Sequence, residues 1–199
     1  YGGKGPFPAY VDLESVPDIV GDEPCLIVQS TGVPMVVGSN RQRSIEYLLS
    51  KHELDLIISD DGLQHLALER QIEWIVLDQN RGLGNQKLLP EGYLREPPSR
   101  LNTGTVIEHA AEPGSALNMH LEVATPYLLN AVQGAPFNPA DNFYAVVGIG
   151  FPQRFYKTLD SMGIYQFQGH EFPDHYDYEI TDLQFEDGNP IITNEKDAV

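Results

Sequence analysis

The stretch NFYAVVGIGFPQRFYKTLDSM, residues 142–162, predicts a strand followed directly by a helix. The apolar run 143–147 suits a buried strand, and residues 152–162 place Phe155, Leu159 and Met162 on one helical stripe. The glycine-rich turn 148–150 between them lacks the third glycine of the dinucleotide-binding fingerprint, so it does not predict NAD. A turn of this kind at a helix N-terminus is still suited to an anion.

The segment upstream, residues 22–78, alternates in the same way. It predicts helices at 23–30 and 41–52, with strand-like apolar runs at 34–37, 54–59 and 72–78. Strands that alternate with helices of about a dozen residues are typical of an α/β fold with a parallel, doubly wound sheet. Shorter β-like pieces at 105–108, 119–123 and 127–131 suit a connecting ribbon.

Composition limits the partners of the chain. Its 199 residues carry a formal net charge of −17 with 12 lysines and arginines, so the clustered cations that bind nucleic acid are lacking. The same surplus would repel an anionic membrane surface, and no apolar run approaches the roughly 18 residues of a spanning helix. Cys25, the single cysteine, lies among apolar residues, as a buried structural thiol does. Both ends of the sequence are interpreted as cuts through a longer protein.

Two adjacent carboxylates, Asp60 and Asp61, end the predicted strand 54–59 and are followed at once by Gly62. Ligands of parallel sheets lie at the carboxyl ends of the strands. Carboxylates at such an edge suit Mg²⁺, which takes hard oxygen ligands directly or through water. The alternative is an ordinary Asp-Asp-Gly turn.

Three further side chains have both a chemical and a structural interpretation. Asp22 is a candidate functional carboxylate or a helix N-cap ahead of Pro24. His175, between an acid and aromatic residues, is a candidate general base or a surface histidine. The guanidinium of Arg95 suits phosphate oxygens, and a structural pair with Glu96 or another acid explains it equally well.

Short motifs follow one another in a distinctive order through the whole chain. They are YGG at 1–3, GDEP at 21–24, DDGLQH at 60–65, GN with LLP at 84–90, LREP at 94–97, GIGFPQRF at 148–155, FPDH at 172–175 and EKDAV at 195–199. The series resembles the tetraacyldisaccharide 4′-kinase family of lipid A synthesis over essentially its full length.

The resemblance implies a P-loop-NTPase-like α/β/α sandwich, in which two α/β/α domains are joined by a β-ribbon and the N-terminal part is missing. The implied domains are 1–115, 116–140 for the ribbon region, and 141–199. The implied reaction uses ATP and Mg²⁺ to phosphorylate the 4′-hydroxyl of a tetraacyl disaccharide 1-phosphate. The implied location is the cytoplasmic face of the bacterial inner membrane, where a segment upstream of this sequence would attach the protein peripherally.

The resemblance also implies roles for individual residues. Asp22 and His175 match the pair that activates the 4′-hydroxyl, and Asp60 and Asp61 match acids on the magnesium side. His65, Arg95 and Glu96 match positions around the phosphates and the metal. Arg41 and Gln64 match positions around the acceptor substrate. A solvated helix start is the alternative for Arg41.

The sequence departs from the family pattern in two respects. The family has a Gly-Gly-Thr-Gly-Lys-Thr-type loop upstream of YGG, and no Gly-x-x-x-x-Gly-Lys-Ser/Thr string occurs in these 199 residues. Because that loop cradles the phosphates, this chain alone is predicted to be inactive as a kinase, while the full-length protein is predicted to be active. Asn194 stands where the family usually has threonine, and a structural role is expected for that segment.

Two other functions remain open from the sequence. One is a non-catalytic glycolipid- or anion-binding module derived from such a kinase. The other is a metal-dependent hydrolase that uses Asp60 and Asp61 and would be active without ATP.

Overall fold

The computed structural model describes residues 3–109, 117–129 and 137–199. The chain divides into two compact units: Tyr1–Ile57 with Val123–Val199 form unit 1, and Ile58–Glu122 form unit 2. Helices and parallel sheets are both present, so the prediction of a mixed α/β protein with parallel strands is confirmed.

The N-terminal half of unit 1 contains an antiparallel strand pair and three helices. Strand β1 (Ala9–Val11) pairs with β2 (Met35–Val37). Between them in the chain lie α1 (Pro17–Val20) and α2 (Asp22–Thr31), and α3 (Arg41–Leu49) follows β2. The predicted helices at 23–30 and 41–52 are confirmed as α2 and α3, although α3 ends earlier.

Local sequence explains where these helices begin and end. Helix α2 stops at Gly32, whose left-handed φ of 66° suits a residue without a Cβ atom. Helix α3 begins after Asn40, whose side chain accepts a hydrogen bond from the backbone N–H of Arg43. The thiol of Cys25 is buried with Val11 and Val28 in the core of this half, as the sequence predicts.

Unit 2 contains a parallel sheet in the order β3-β4-β5, formed by β3 (Trp74–Asp78), β4 (Thr105–His109) and β5 (Asn118–Met119). The predicted strands at 72–78 and 105–108 are therefore confirmed. Glu73, just ahead of β3, pairs with both Arg70 and Arg100 at 2.8 Å. Because all three side chains are largely buried, these ion pairs fix the entry into the sheet.

The C-terminal half of unit 1 is built around β6 (Phe143–Val147). Helix α4 (Pro152–Ser161) follows it, and β7 (Phe167–Glu171) and β8 (Ile191–Ile192) pair with it in parallel on either side. Leu159 of α4 packs into a core with Phe143 and Ile164. The strand and helix predicted from residues 142–162 are thus confirmed.

The predicted strand at 54–59 is wrong. The backbone there is irregular, and Leu56 and Ile58 are 70% and 85% exposed. A strand forms only where a neighbour takes up its backbone hydrogen bonds, and no segment in the described part of the chain pairs with this one. Asp60 and Asp61 therefore follow an irregular segment and not a strand end.

The predicted sheet and ribbon also differ from the structure. Over residues 3–109, 117–129 and 137–199, the strands form one antiparallel pair and two parallel three-stranded sheets instead of one doubly wound sheet. The piece predicted at 119–123 is a strand only at Asn118–Met119, and residues 127–129 form none. Residues 130 and 131 of the last predicted piece lie outside the described residues.

The predicted domains at 1–115, 116–140 and 141–199 stay a prediction, because the boundary at 115/116 lies outside the described residues, as do Tyr1 and Gly2 of the first motif. Within the described ranges, none of the helices combines the length and the apolar character that crossing a membrane requires.

Candidate functional site

Asp22 is held at the first turn of α2 by the glycine before it. Gly21 has a φ of 100°, which residues with a Cβ rarely adopt, and it occupies the N-cap position. The interpretation of Asp22 as the N-cap is therefore wrong. Its Oδ1 accepts a hydrogen bond from the N–H of Glu23 at 3.0 Å, and the positive end of the helix favours its negative charge.

His175 lies in the turn that follows β7. The N–H of Phe172 donates to the carbonyl of Val147 at 2.8 Å and so ties the start of this turn to β6. His175 itself has a φ of 59°, a left-handed conformation that non-glycine residues adopt at a cost of about 1–3 kcal/mol. Backbone strain of this kind is concentrated at functional sites.

The structure brings His175 against Asp22, although 153 positions separate them in the sequence. The imidazole Nδ1 lies 2.9 Å from Oδ2 of Asp22 and 3.1 Å from Oδ1. The Asp22 side chain is 19% exposed and that of His175 is 41% exposed, so the carboxylate is sheltered and the ring stays accessible. Their proposed catalytic roles remain predictions.

Electrostatics fix the tautomer of the ring. Burial alone would raise the pKa of Asp22, but the hydrogen bonds from His175 and from the N–H of Glu23, together with the charge of Lys196, outweigh it and lower that pKa. An ionised carboxylate only accepts hydrogen bonds, so Nδ1 must carry a proton. In the neutral ring, Nε2 is then the nitrogen with a free lone pair.

A cavity of about 250 Å³ opens beside this pair, and its lining includes Asp22, His175, Tyr178, Lys196 and Asp197. The hydroxyl of Tyr178 is buried and makes no hydrogen bond within the described residues. Burial, aided by the charge of Asp197, raises the pKa of Tyr178, so the phenol keeps its proton. The cavity thus offers a base to a small polar group, and the phenol of Tyr178 in its wall stays buried and protonated.

Sequence reasoning missed Tyr178 and two charged residues of this site. The ammonium of Lys196 lies 2.5 Å from Oδ1 of Asp174 and 3.7 Å from Oδ2 of Asp22. Asp174 and Lys196 both occur in the motifs that carry the family resemblance. Two features of the sequence could have pointed to them: Asp174 directly precedes His175, and Lys196 lies between two acidic residues.

Unit 2 brings together four of the other predicted residues. The guanidinium of Arg95 lies 3.2 Å from Oδ2 of Asp61, and Gln64 Nε2 donates to Glu96 at 2.7 Å. Glu96 also accepts from Arg100 at 3.3 Å. Arg95 therefore pairs with Asp61 and not with its neighbour Glu96.

Asp60 and Asp61 are both exposed, and Asp61 has a left-handed φ of 43°. In the described part of the chain, no group of three or more His, Cys, Asp or Glu side chains is arranged to hold a metal. Mg²⁺ typically takes only one or two carboxylates from the protein and the rest from water and substrate phosphates. The donor chemistry of the two aspartates fits that mode.

The last two predicted residues are His65 in unit 2 and Arg41 in unit 1. His65 donates its backbone N–H to the carbonyl of Gly62 at 3.0 Å and is partly buried. Arg41 is the first residue of α3, as predicted, and is also partly buried. Their roles toward phosphates and acceptor substrate stay predictions.

The chain is similar to known proteins over its entire length. The family model described as tetraacyldisaccharide-1-P 4′-kinase matches residues 1–199. Proteins named tetraacyldisaccharide 4′-kinase are 45% identical in Psychrobacter arcticus, 43% in Actinobacillus pleuropneumoniae serotype 7 and 40% in Pseudomonas fluorescens. Each alignment covers 100% of this chain and, respectively, 58%, 63% and 61% of the relative. The chain thus spans about three fifths of the length of these relatives, and no solved structure matches it.

Proposed function

Because the chain belongs to the tetraacyldisaccharide-1-P 4′-kinase family, we propose that the full-length protein transfers the γ-phosphoryl group of ATP to a tetraacyl disaccharide 1-phosphate. The accepting group is the 4′-hydroxyl of the disaccharide. The observation that carries this proposal is the Asp22–His175 contact, which lies beside a cavity in a chain that matches the family from end to end.

The chemistry of the pair suits removal of a proton from a hydroxyl. Nε2 of His175 accepts the proton of the 4′-hydroxyl as its oxygen attacks the γ-phosphorus, and the bond from that phosphorus to the β-phosphate oxygen breaks to release ADP. Asp22 keeps Nδ1 protonated and stabilises the imidazolium that forms. General-base assistance of this kind contributes about 10²–10⁴-fold to a rate.

The phosphate and metal contacts are assigned to residues outside this pair. Asp60 and Asp61 would hold Mg²⁺, which neutralises the charge that develops on the phosphoryl oxygens when it is bound. His65, Arg95 and Glu96 are assigned to the surroundings of the phosphates and the metal. Arg41 and Gln64 are assigned to the acceptor substrate.

The fold and location follow the same proposal. The full-length protein has a P-loop-NTPase-like α/β/α architecture with two such domains and a β-ribbon. We expect the full-length protein to contain the phosphate-binding loop of the family. The protein acts peripherally at the cytoplasmic face of the inner membrane, where its lipid substrate resides.

The test is 4′-phosphorylation by the full-length protein with Mg·ATP. His175→Ala is expected to lower kcat by about 10²–10⁴-fold with little change in KM for ATP. His120→Ala, which alters an exposed histidine of the segment 117–129, serves as the matched control and should leave both constants unchanged. The 199-residue chain alone should show no turnover, because it lacks the Gly-Lys-Ser/Thr string.

Full activity of His175→Ala would refute the assigned base. An inactive wild type, under conditions in which a relative works, would replace the kinase with a non-catalytic glycolipid- or anion-binding module. Phosphate release without ATP would instead favour a metal-dependent hydrolase.

A further inference from the structure

Lys196 occupies the space between the two carboxylates that flank the His175 ring. Its ammonium lies 2.5 Å from Oδ1 of Asp174 and 3.7 Å from Oδ2 of Asp22. That Oδ2 atom is the same one that contacts Nδ1 of His175 at 2.9 Å. The side chain of Lys196 is 17% exposed, so its charge is only weakly screened by water.

The backbone around Lys196 is fixed by its neighbours. Oδ2 of Asp197 accepts from the N–H of Gly148 at 2.8 Å and from Nδ2 of Asn194 at 2.6 Å. The N–H of Asp197 returns a hydrogen bond to Oδ1 of Asn194 at 3.0 Å. Val199 packs against the core that contains Val11 and Val20. Lys196 is therefore presented from a rigid turn attached to the end of β6.

The surroundings of the cavity are acidic. Its lining includes the carboxylates of Asp18, Asp22, Asp177 and Asp197, and Lys196 is the one lysine or arginine that lines it within the described residues. Burial alone would lower the pKa of Lys196, but the hydrogen bond to Asp174 and the nearby carboxylates outweigh it and raise that pKa. Lys196 thus stays charged and offsets part of the negative field.

Asp174 could compete with the substrate hydroxyl for Nε2 of His175, and its contact with Lys196 limits this competition. Oδ2 of Asp174 lies 3.9 Å from Nε2 of His175, the ring nitrogen that does not face Asp22. A carboxylate free to approach Nε2 would favour a second proton on the ring, and a doubly protonated imidazole cannot act as a base. The hydrogen bond from Lys196 lowers the pKa of Asp174 and engages its other oxygen.

We propose that Lys196 is a positioning residue for the transfer reaction: it holds Asp22 against Nδ1 of His175 and holds Asp174 away from Nε2. This inference rests on the proposed kinase function, because it assigns Nε2 the task of accepting the hydroxyl proton. Lys196 itself touches neither the substrate nor the transferred group in this role. Removal of Lys196 should impair the base function of His175 and leave His65, Arg95 and Glu96, the residues assigned to the phosphates, unchanged.

The test compares three variants of the full-length protein in the 4′-phosphorylation assay. Lys196→Met keeps the length of the side chain and removes its charge, whereas Lys196→Arg keeps the charge. Lys157→Met is the control, because it removes a lysine charge on the exposed face of α4. Lys196→Met should lower kcat by about 10²-fold, the effect expected of a small misplacement at a reacting centre, with KM for ATP unchanged. The acid limb of its pH–rate profile should move to higher pH. Lys196→Arg should recover most of the rate, and Lys157→Met should match wild type.

A second readout does not depend on turnover. Titration of Asp174, followed by NMR of a ¹³C-labelled carboxyl group, should show a higher midpoint in Lys196→Met than in wild type. Wild-type kcat retained in Lys196→Met, or an equal loss of rate and of Tm in Lys196→Met and Lys196→Arg, would overturn the positioning role. An inactive wild type with a shifted Asp174 midpoint would instead refute the kinase function while confirming the ion pair.

Discussion

Replacing Asp22 with asparagine tests whether the pair acts as one unit. The substitution keeps the size of the side chain and removes the charge that faces Nδ1 of His175 at 2.9 Å. A hydrogen bond to an ionised partner contributes about twice as much as the roughly 1 kcal/mol of a neutral one. His175 is 41% exposed, so solvent keeps the difference near the low end, at about 1 kcal/mol. That difference corresponds to roughly fivefold in rate.

The tautomer adds a second and larger loss. An asparagine can turn its NH₂ group toward Nδ1, and the ring then carries its proton on Nε2, where it cannot accept another. Asp22→Asn should therefore lower kcat by more than fivefold and at most by the about 10²–10⁴-fold expected for His175→Ala. The double variant should be no slower than His175→Ala alone, since residues that act as a unit have non-additive effects.

The assay is a double-mutant cycle on kcat in the full-length protein at saturating Mg·ATP. Asp160→Asn on the exposed face of α4 serves as the control and should match wild type. The reasoning is refuted if the double variant loses the product of the two single losses, because additivity would mean that Asp22 and His175 act independently.

Three further predictions concern stability. Leu159→Ala should lower the free energy of unfolding by about 2–5 kcal/mol in urea, because Leu159 is 1% exposed, whereas exposed Leu128→Ala should change it by less than about 0.5 kcal/mol. Tyr178→Phe should leave the free energy of unfolding within about 0.5 kcal/mol of wild type or raise it, since the lost hydroxyl makes no hydrogen bond within the described residues. A decrease of more than about 1 kcal/mol would contradict this expectation. The lowered pKa values of Asp22 and Asp174 stabilise the fold above the unfolded value of about 3.9, and this contribution is lost as the pH falls through the folded values. The unfolding free energy of wild type should thus fall more steeply between about pH 5 and pH 3 than that of Asp174→Asn, and equal slopes would refute the shift.

The sequence predicted those elements whose apolar side chains pack against the next element along the chain. Strand β6 and helix α4 follow each other directly, and the apolar stripe of α4 packs on the strand that precedes it. The run 54–59 has an equally apolar pattern, but a strand also needs a partner, and periodicity says nothing about partners. Strand β7, with the sequence Phe-Gln-Gly-His-Glu, has little apolar character and forms because β6 offers it a free edge.

The candidate site depended on information that spacing does not contain. Asp22 and His175 lie 153 positions apart, and only the family resemblance suggested that they meet. The structure adds Lys196 and Asp174, whose importance arises from where the chain places them around the ring. A lysine between two acids is ordinary in a sequence, and its effect on a base appears only in three dimensions.

The acidic character of the chain is compatible with a phosphorylated substrate if protons and phosphates are handled by different residues. A net charge of −17 would oppose binding of ATP at any surface that shared it evenly. The carboxylates around the cavity instead surround a base, and negative charge near an imidazole favours the uptake of a proton. Lys196 offsets part of this field at the base, while Arg95, Glu96 and His65 are the residues assigned to the phosphates and the metal. The carboxylates of the site therefore favour proton uptake by His175, and Lys196 keeps Asp174 from occupying the Nε2 atom that the hydroxyl needs.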